Sequence, residues 1–323
     1  MLAAYAARLD ADEPLSALEV GELDPPPVPS GWVSVQVRAA SLNHHDLWSL
    51  RGVGLPADRL PMVLGCDAVG VTEDGRRVVV QGVVNDPAYA GDDPVTDPRR
   101  SLLSERYPGT LAEVVRVPPG NLVDLPLELD FAEAACLPTA WLTAYRMLFT
   151  AAGLRPGDTV LVQGAGGGVA TALVPLARQA GFRVWVTSRS PERGQRAVEL
   201  GAHQAFASGE RLPERVDAVM ETVGAATWSH SVNALRPGGT VVISGATSGA
   251  EPASAELTKI FFKPLRVIGS TMGTRDELRR LLALLVATGL RPTIDRVLPL
   301  SRVAEGLRAL ADGEVFGKVV IEP

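Results

Sequence analysis

A strand-forming run, TVLVQ, leads directly into Gly164-Ala165-Gly166-Gly167-Gly168-Val169-Ala170, and a helix-forming run, TALVPLARQAG, follows at once. Glycines in such a turn tolerate positive φ and let backbone N–H groups approach an anion, whose charge then sits at the helix N-terminus. Strand, glycine turn and helix in that order set a dinucleotide-binding turn apart from chance glycines. The best register runs through Gly164, Gly167 and Ala170. The backbone of Gly164, Ala165, Gly167, Gly168 and Val169 is therefore expected to hold a pyrophosphate. About 20 residues on, an NAD site places an acid against the ribose 2′-hydroxyl. Here the chain reads Val186-Thr187-Ser188-Arg189-Ser190-Pro191-Glu192-Arg193. No acid stands at the strand tip, and Ser188, Arg189 and Arg193 suit a 2′-phosphate, so the expected cofactor is NADP(H). Glu192 falls past the strand, where it complements a helix dipole.

Other chemistry-bearing residues are sparse. Two cysteines, Cys66 and Cys136, exclude a disulfide framework and a four-cysteine zinc knuckle. Adjacent His44 and His45 point to opposite sides of an extended chain. A metal site from one of them with Cys66 and Asp46 remains a minor alternative.

These residues must be positioned by a chain of 323 residues, enough for about two domains at roughly 150 residues each. With 46% hydrophobic and 21% charged residues, the composition is that of a folded globular protein. The formal net charge of −6 comes with no run of like charge, so nucleic acid is not an expected partner. No signal-like segment opens the chain, and LLALLVATGL falls short of the ~20 residues a membrane helix needs, so a cytoplasmic protein is expected. From Gly31, the run WVSVQVRAA places Val33, Val35, Val37 and Ala39 on one face, the alternation of a half-buried strand. Short apolar runs at MVLG, RRVVVQGVV and LAEVVRV continue a β-rich unit, interrupted by an Asp/Pro-rich surface excursion between Asn85 and Pro108. Beyond Leu125, FAEAACLPTAWLTAYRMLF has helical spacing. Strands at TVLVQ, RVWVTS, VDAVMET, TVVISG and RVIGS then alternate with helices, a βαβ series feeding a parallel sheet. The tail from Arg275 pairs a helix with a strand, FGKVVIEP. It shows no further βα repeat and is expected to fold back onto the first domain.

In order along the chain, SLNHHDLWSLRG (41 to 52), LGCDAVG (64 to 70), AACLPTAWLTAYRML (134 to 148), VLVQGAGGGVA (160 to 170), LRPGGTVVISG (235 to 245) and GKVVIEP (317 to 323) resemble the medium-chain dehydrogenase/reductase family over essentially the whole length. The resemblance implies an α/β fold. A GroES-like β-rich catalytic domain would span residues 1–124 with 272–323 returning to it, and a doubly wound parallel-sheet Rossmann domain would span 125–271. Zinc alcohol dehydrogenases of that family draw catalytic ligands from the first three motifs. Those positions read Asn43, Cys66 and Thr139 here, and the family's four-cysteine lobe is replaced by the Asp/Pro-rich excursion. No bound metal is expected, and the chain looks like the zinc-independent quinone oxidoreductase branch.

That branch implies hydride transfer from NADPH to a quinone or an α,β-unsaturated carbonyl. Asn43 would hold the nicotinamide ribose or the substrate carbonyl, Trp48 would stand as an aromatic wall, and Asp46 would orient its neighbours. His44 is the one general-acid candidate, with water as the alternative. Thr139 would lie by the nicotinamide face, Thr222 and Gly245 near the ribose and nicotinamide, and Lys318 near the bound dinucleotide. A reductase of enoyl-thioester or carbonyl groups in a biosynthetic pathway and an NADPH-binding protein of low turnover are the alternatives. The apolar strand RVIGS, 266 to 270, would be a sheet edge that needs covering. Relatives pair such strands across a two-fold axis, so a homodimer is expected. The substrate itself depends on loop shape around Trp48, Tyr107 and Phe261.

Overall fold

A computed structural model describes residues 1–25 and 29–323. The chain divides into two compact units, Met1–Leu142 with Met272–Pro323, and Thr143–Thr271. Residues 125–142, which the change of pattern placed with the nucleotide-binding domain, group with the first unit. The helix Phe131–Ala135, capped by Asp130, packs there on the strands Val33–Ser41 and Asp67–Thr72.

The second unit is a six-stranded sheet: β1 (Thr159–Val162), β2 (Arg183–Ser188), β3 (Gln204–Ala207), β4 (Val216–Glu221), β5 (Leu235–Ile243) and β6 (Arg266–Gly269). Their spatial order is β3-β2-β1-β4-β5-β6, parallel throughout. This is the doubly wound order, whose crevice opens where the order reverses, beyond the carboxyl ends of β1 and β4. Sequence reading located five of these strands. It missed β3, whose four residues QAFA carry too few β-formers to stand out. Three helices matter for the site: α1 (Gly168–Gln179), α2 (Pro191–Glu199) and α3 (Trp228–Ala234). Strands buried on both faces read as continuous apolar runs. Leu161, Trp185, Phe206, Val216, Val219, Leu235 and Val241 accordingly form one core cluster.

In the first unit the main sheet runs Leu122–Asp124, Arg77–Val80, Asp67–Thr72, Val33–Ser41, Lys318–Glu322 and Ile294–Pro299. The alternation in Val33–Ser41 holds through Arg38, with Val35 and Val37 buried and Gln36 and Arg38 exposed. A register shift between Val37 and Ala39 then breaks it, and Ala39, Ala40 and Ser41 are all buried. That irregularity exchanges the two faces, so Ala40 joins Val35 and Val37 in the core and Ser41 lies opposite Asp67 on the other face. The tail does contain a further βα repeat, contrary to expectation. Ile294–Pro299 and Lys318–Glu322 pair in parallel with helix Val303–Ala311 between them. The first of these strands reads IDRVLP, whose two charges break any apolar run, and that hid the repeat. Among the described residues, no helix is long and apolar enough to cross a membrane.

Candidate active site

In the first unit, side chains at four other positions converge on the Asp67 carboxylate. Ser41 ends a strand, Asn43 precedes the helix His44–Leu50, Asp67 opens a strand, Thr139 lies in the helical turn Leu137–Trp141, and Lys318 opens the last strand. Asp67 is fully buried. Its Oδ2 accepts from Ser41 Oγ at 2.8 Å, Asn43 Nδ2 at 2.8 Å and Lys318 Nζ at 3.4 Å, while Oδ1 accepts from Thr139 Oγ1 at 2.5 Å. Sequence reading quoted Asp67 inside LGCDAVG without assigning it a role. The available signal was a lone acid in an apolar segment, since a buried charge demands partners.

Asn43 stands at the helix N-terminus, yet its side chain turns away from the helix. The other half of the cap is made by Asp46, whose Oδ2 accepts from Asn43 N at 2.8 Å and whose Oδ1 accepts from Gly65 N at 3.1 Å. Asp46 is fully buried, so it fixes backbone and offers nothing outward. Burial raises its carboxyl to about 7. The Asn43 Oδ1 accepts from Lys318 Nζ at 2.6 Å. One amide hydrogen is committed to Asp67, and the other has only the distant Ser41 O at 3.4 Å and Cys66 Sγ at 3.7 Å.

Lys318, expected near the dinucleotide, is itself buried. Its ammonium donates to Leu42 O at 2.7 Å, to Asn43 Oδ1 and to Asp67 Oδ2, which uses all three of its hydrogens. It therefore holds this cluster together and has no hydrogen left for a phosphate. Cys66 Sγ lies 3.4 Å from Thr139 Oγ1. Burial, with Asp67 and Asp46 nearby, pushes the Cys66 thiol well above its ordinary value.

The two histidines part as expected of adjacent residues. The His45 Nε2 sits 3.2 Å from Ser104 Oγ and 3.3 Å from Ser49 Oγ, facing the excursion, and burial lowers its pKa to about 4. His44 is half-buried, and desolvation followed by the Lys318 charge lowers its pKa below the ordinary value. Trp48 is half-buried on the same helix.

In the second unit, Gly164 has φ +83°, a conformation only glycine adopts easily. Gly167 precedes α1 with no side-chain cap and no acid in the first turn, and a Cβ built there meets no atom within 4 Å. Uncapped helix amides facing open space fit a pyrophosphate held by Gly164, Ala165, Gly167, Gly168 and Val169. At the tip of β2, Ser188 Oγ donates to Ser190 O at 2.7 Å, and Ser190 Oγ caps α2 by accepting from Arg193 N. Arg189 is exposed and makes no hydrogen bond among the described residues. Thr222 and Gly245 lie together at the carboxyl edge of the sheet, where a Cβ on Gly245 would come 3.1 Å from Thr222 O.

Comparison with known proteins agrees with this layout. A model of the alcohol dehydrogenase GroES-like domain matches residues 29–127, and a zinc-binding dehydrogenase model matches 168–287. An acryloyl-coenzyme A reductase of Metallosphaera sedula is 30% identical over 94% of this chain and 96% of its own. A quinone oxidoreductase of Lama guanicoe is 30% identical over 90% of this chain and 88% of its own. The crystal structure of an NAD-dependent alcohol dehydrogenase superposes with a TM-score of 0.92 at 34% identity, covering all of both chains. With its GroES-like first unit and its doubly wound second unit, this chain belongs to the medium-chain dehydrogenase/reductase family of oxidoreductases, which use nicotinamide cofactors.

Proposed function

We propose that this oxidoreductase reduces a conjugated carbonyl, a quinone or an enone, with NADPH and without zinc. Lys318 is the observation that carries the reading. A buried ammonium lies against Asn43, one of the three positions from which zinc relatives draw ligands, and the other two hold a thiol and a hydroxyl in contact with each other. Among the described residues no three His, Cys, Asp or Glu side chains gather as a metal-binding group. A zinc ion beside a fixed ammonium, with an amide whose oxygen is engaged and a thiol held protonated by burial, lacks the converging donors a site requires.

Bound NADPH supplies the hydride. The glycine turn and the α1 amides hold the pyrophosphate, and Arg189, unpaired at the tip of β2, faces the 2′-phosphate with Arg193 beside it. Thr139 and Asn43, their orientations fixed by Asp67 and Lys318, present a polar edge. The loosely held Asn43 hydrogen is free to reach a ribose or carbonyl oxygen. Hydride adds to the electrophilic carbon, and the oxyanion left behind takes one proton. Burial, and then the Lys318 charge, lower the His44 pKa and disfavour its imidazolium, which supports water as the source of that proton.

A second reading, reduction of an enoyl thioester, draws support from the likeness to an acryloyl-coenzyme A reductase. NADPH oxidation followed with a panel of quinones, enones and acryloyl-coenzyme A, on protein assayed for zinc, separates the two. Turnover confined to the thioester favours the second. Stoichiometric zinc with activity lost on chelation, or cofactor binding without turnover on any of them, overturns both. The exposed strand β6, with Val267 44% exposed, supports a homodimer paired through that edge. Light scattering at micromolar concentration should give twice the 34.0 kDa of one chain.

A further inference from the structure

Beneath the carboxyl edge of the second sheet, a buried chain of hydrogen bonds runs between the turns that end β1 and β4. Gly164 N donates to Thr187 Oγ1 at 3.2 Å, and Thr187 Oγ1 donates to Gln163 Oε1 at 2.6 Å. Gln163 Nε2 donates to Ser231 Oγ at 2.9 Å, and Ser231 Oγ donates to Glu221 Oε2 at 2.5 Å. Glu221 Oε1 then accepts from Val223 N at 2.8 Å, Gly224 N at 3.0 Å and Thr227 Oγ1 at 2.9 Å.

The direction of every link follows from chemistry. His230 Nε2 must donate to Glu210 O, so its Nδ1 accepts from Gln163 Nε2 at 2.9 Å. That fixes which end of the Gln163 amide is nitrogen. Its oxygen is left for Thr187, whose hydroxyl is then free to accept only from Gly164. Glu221, Gln163 and Ser231 are fully buried, and Thr187 is 1% exposed. No cation pairs with Glu221 among the described residues. Four neutral side chains and three backbone amides are a costly arrangement in a hydrophobic sheet, since each member left unsatisfied loses its full desolvation energy. Apolar residues of similar size would hold the core at less risk.

The chain has one other property. It spans the point where the strand order reverses, the place at which doubly wound sheets bind ligands, and it ends at both ligand-facing turns. The Glu221 end closes the turn Thr222–Gly224, where Gly224 has φ +92° and a Cβ would come 2.5 Å from Gly249 O. We propose that Glu221 and Gln163 are positioning residues for the cofactor, a buried relay that locks the Thr222–Gly224 turn to the glycine turn at Gly164 before a dinucleotide binds. The proposal rests on the reading that NADPH occupies this edge. It adds that neither turn is preset alone, so breaking the chain at any link weakens binding by the same route.

The test uses the full-length protein and NADPH binding followed by fluorescence titration, with thermal unfolding of the unliganded protein alongside. Thr187→Val removes one hydroxyl near the glycine turn at constant shape, and Ser231→Ala removes one near Glu221. Each should raise the NADPH dissociation constant about tenfold, and the double variant should be no worse than either single, because both open the same chain. Thr187→Ser, which keeps the hydroxyl, should restore wild-type affinity. Glu221→Gln should match the singles, and if it does not fold the two hydroxyl variants still decide the matter. A lowered unfolding temperature with unchanged affinity would make the chain a core device only and overturn the proposal. So would strictly additive losses. Failure of the wild-type protein to bind NADPH would instead overturn the proposed function beneath it.

Discussion

In each unit one fully buried carboxylate, Asp67 in the first and Glu221 in the second, is the hub of a side-chain cluster, and the two are satisfied in opposite ways. Asp67 faces a buried ammonium, Lys318, brought from 251 residues away, with three further donors drawn from other distant segments. Glu221 faces only neutral donors, and all of them come from the ten residues that follow it. A carboxylate with local donors can be assembled as its own strand and helix form. One compensated by a distant cation exists only in the finished fold, and removing the cation leaves a bare buried charge.

Lys318→Met breaks the comparison most severely. Loss of one partner of a buried pair costs about 3–5 kcal/mol, because the remaining charge is uncompensated. Denaturant unfolding should show that loss, and adding Asp67→Asn should recover more than half of it. A single-variant cost under about 1 kcal/mol would mean that Asp67 does not depend on the ammonium, and the contrast with Glu221 would disappear.

Asp46 supplies a sharper form of the same contrast, a buried acid with backbone donors alone. Its folded pKa is raised from 3.8 to about 7, so the folded state holds the proton more tightly than the unfolded one. Both states are protonated below about pH 4, and both are ionised above about 7. Stability contributed by this group therefore falls as pH rises through that window, with a slope of up to roughly 1.4 kcal/mol per pH unit. Unfolding midpoints of the wild type and Asp46→Asn should converge near pH 4 and separate in favour of the variant toward pH 7. A constant difference across that range would show that Asp46 is ionised throughout.

The difference between the two hubs also explains what could be read from the sequence. The second unit was legible because its pattern is carried by short stretches of chain: glycines at a strand end, a helix directly after, and an arginine in place of an acid at the end of the next strand. Each of those is a short-range pattern. In the first unit, family likeness pointed to Asn43, Thr139 and Lys318, but their partners were invisible. Nothing near Lys318 in the sequence announces Asp67, and FGKVVIEP reads only as a strand. The register shift after Val37 that sets Ser41 opposite Asp67 was hidden for the same reason, since a bulge is set by the partner strand and not by local propensity. The parallel partner of Lys318–Glu322, Ile294–Pro299, was missed because a half-exposed strand of six residues carries little periodicity.

Arg189 tests whether the second unit has an ionic dependence of its own, one supplied by the ligand. A charge-assisted contact to a 2′-phosphate is worth about 1.5–3 kcal/mol, which is roughly tenfold to a hundredfold in affinity. Arg189→Ala with Arg193→Ala should weaken NADPH binding by that factor and leave NADH binding within about twofold. Equal losses for both cofactors would detach these arginines from the 2′-phosphate. Tighter binding of NADH than NADPH by the wild type would align this chain instead with the NAD-dependent alcohol dehydrogenase it superposes on.

The smallest effect separates two glycines three residues apart in the same turn. Gly164 sits at φ +83°, where a side chain costs about 1–2 kcal/mol, so Gly164→Ala should lower stability by that amount with or without ligand. Gly167 has φ −71°, which any residue adopts, and its Cβ would project into open space. Gly167→Ala should therefore leave the unliganded protein within about 0.5 kcal/mol of wild type, as exposed substitutions without strain do. If that open space receives the pyrophosphate, the added methyl should still weaken NADPH binding severalfold, since the backbone can no longer approach as closely. One glycine is thus needed by the chain and the other by the ligand. A Gly167→Ala variant that binds NADPH as well as the wild type would move the pyrophosphate away from this turn and, with it, the relay through Gln163 and Glu221.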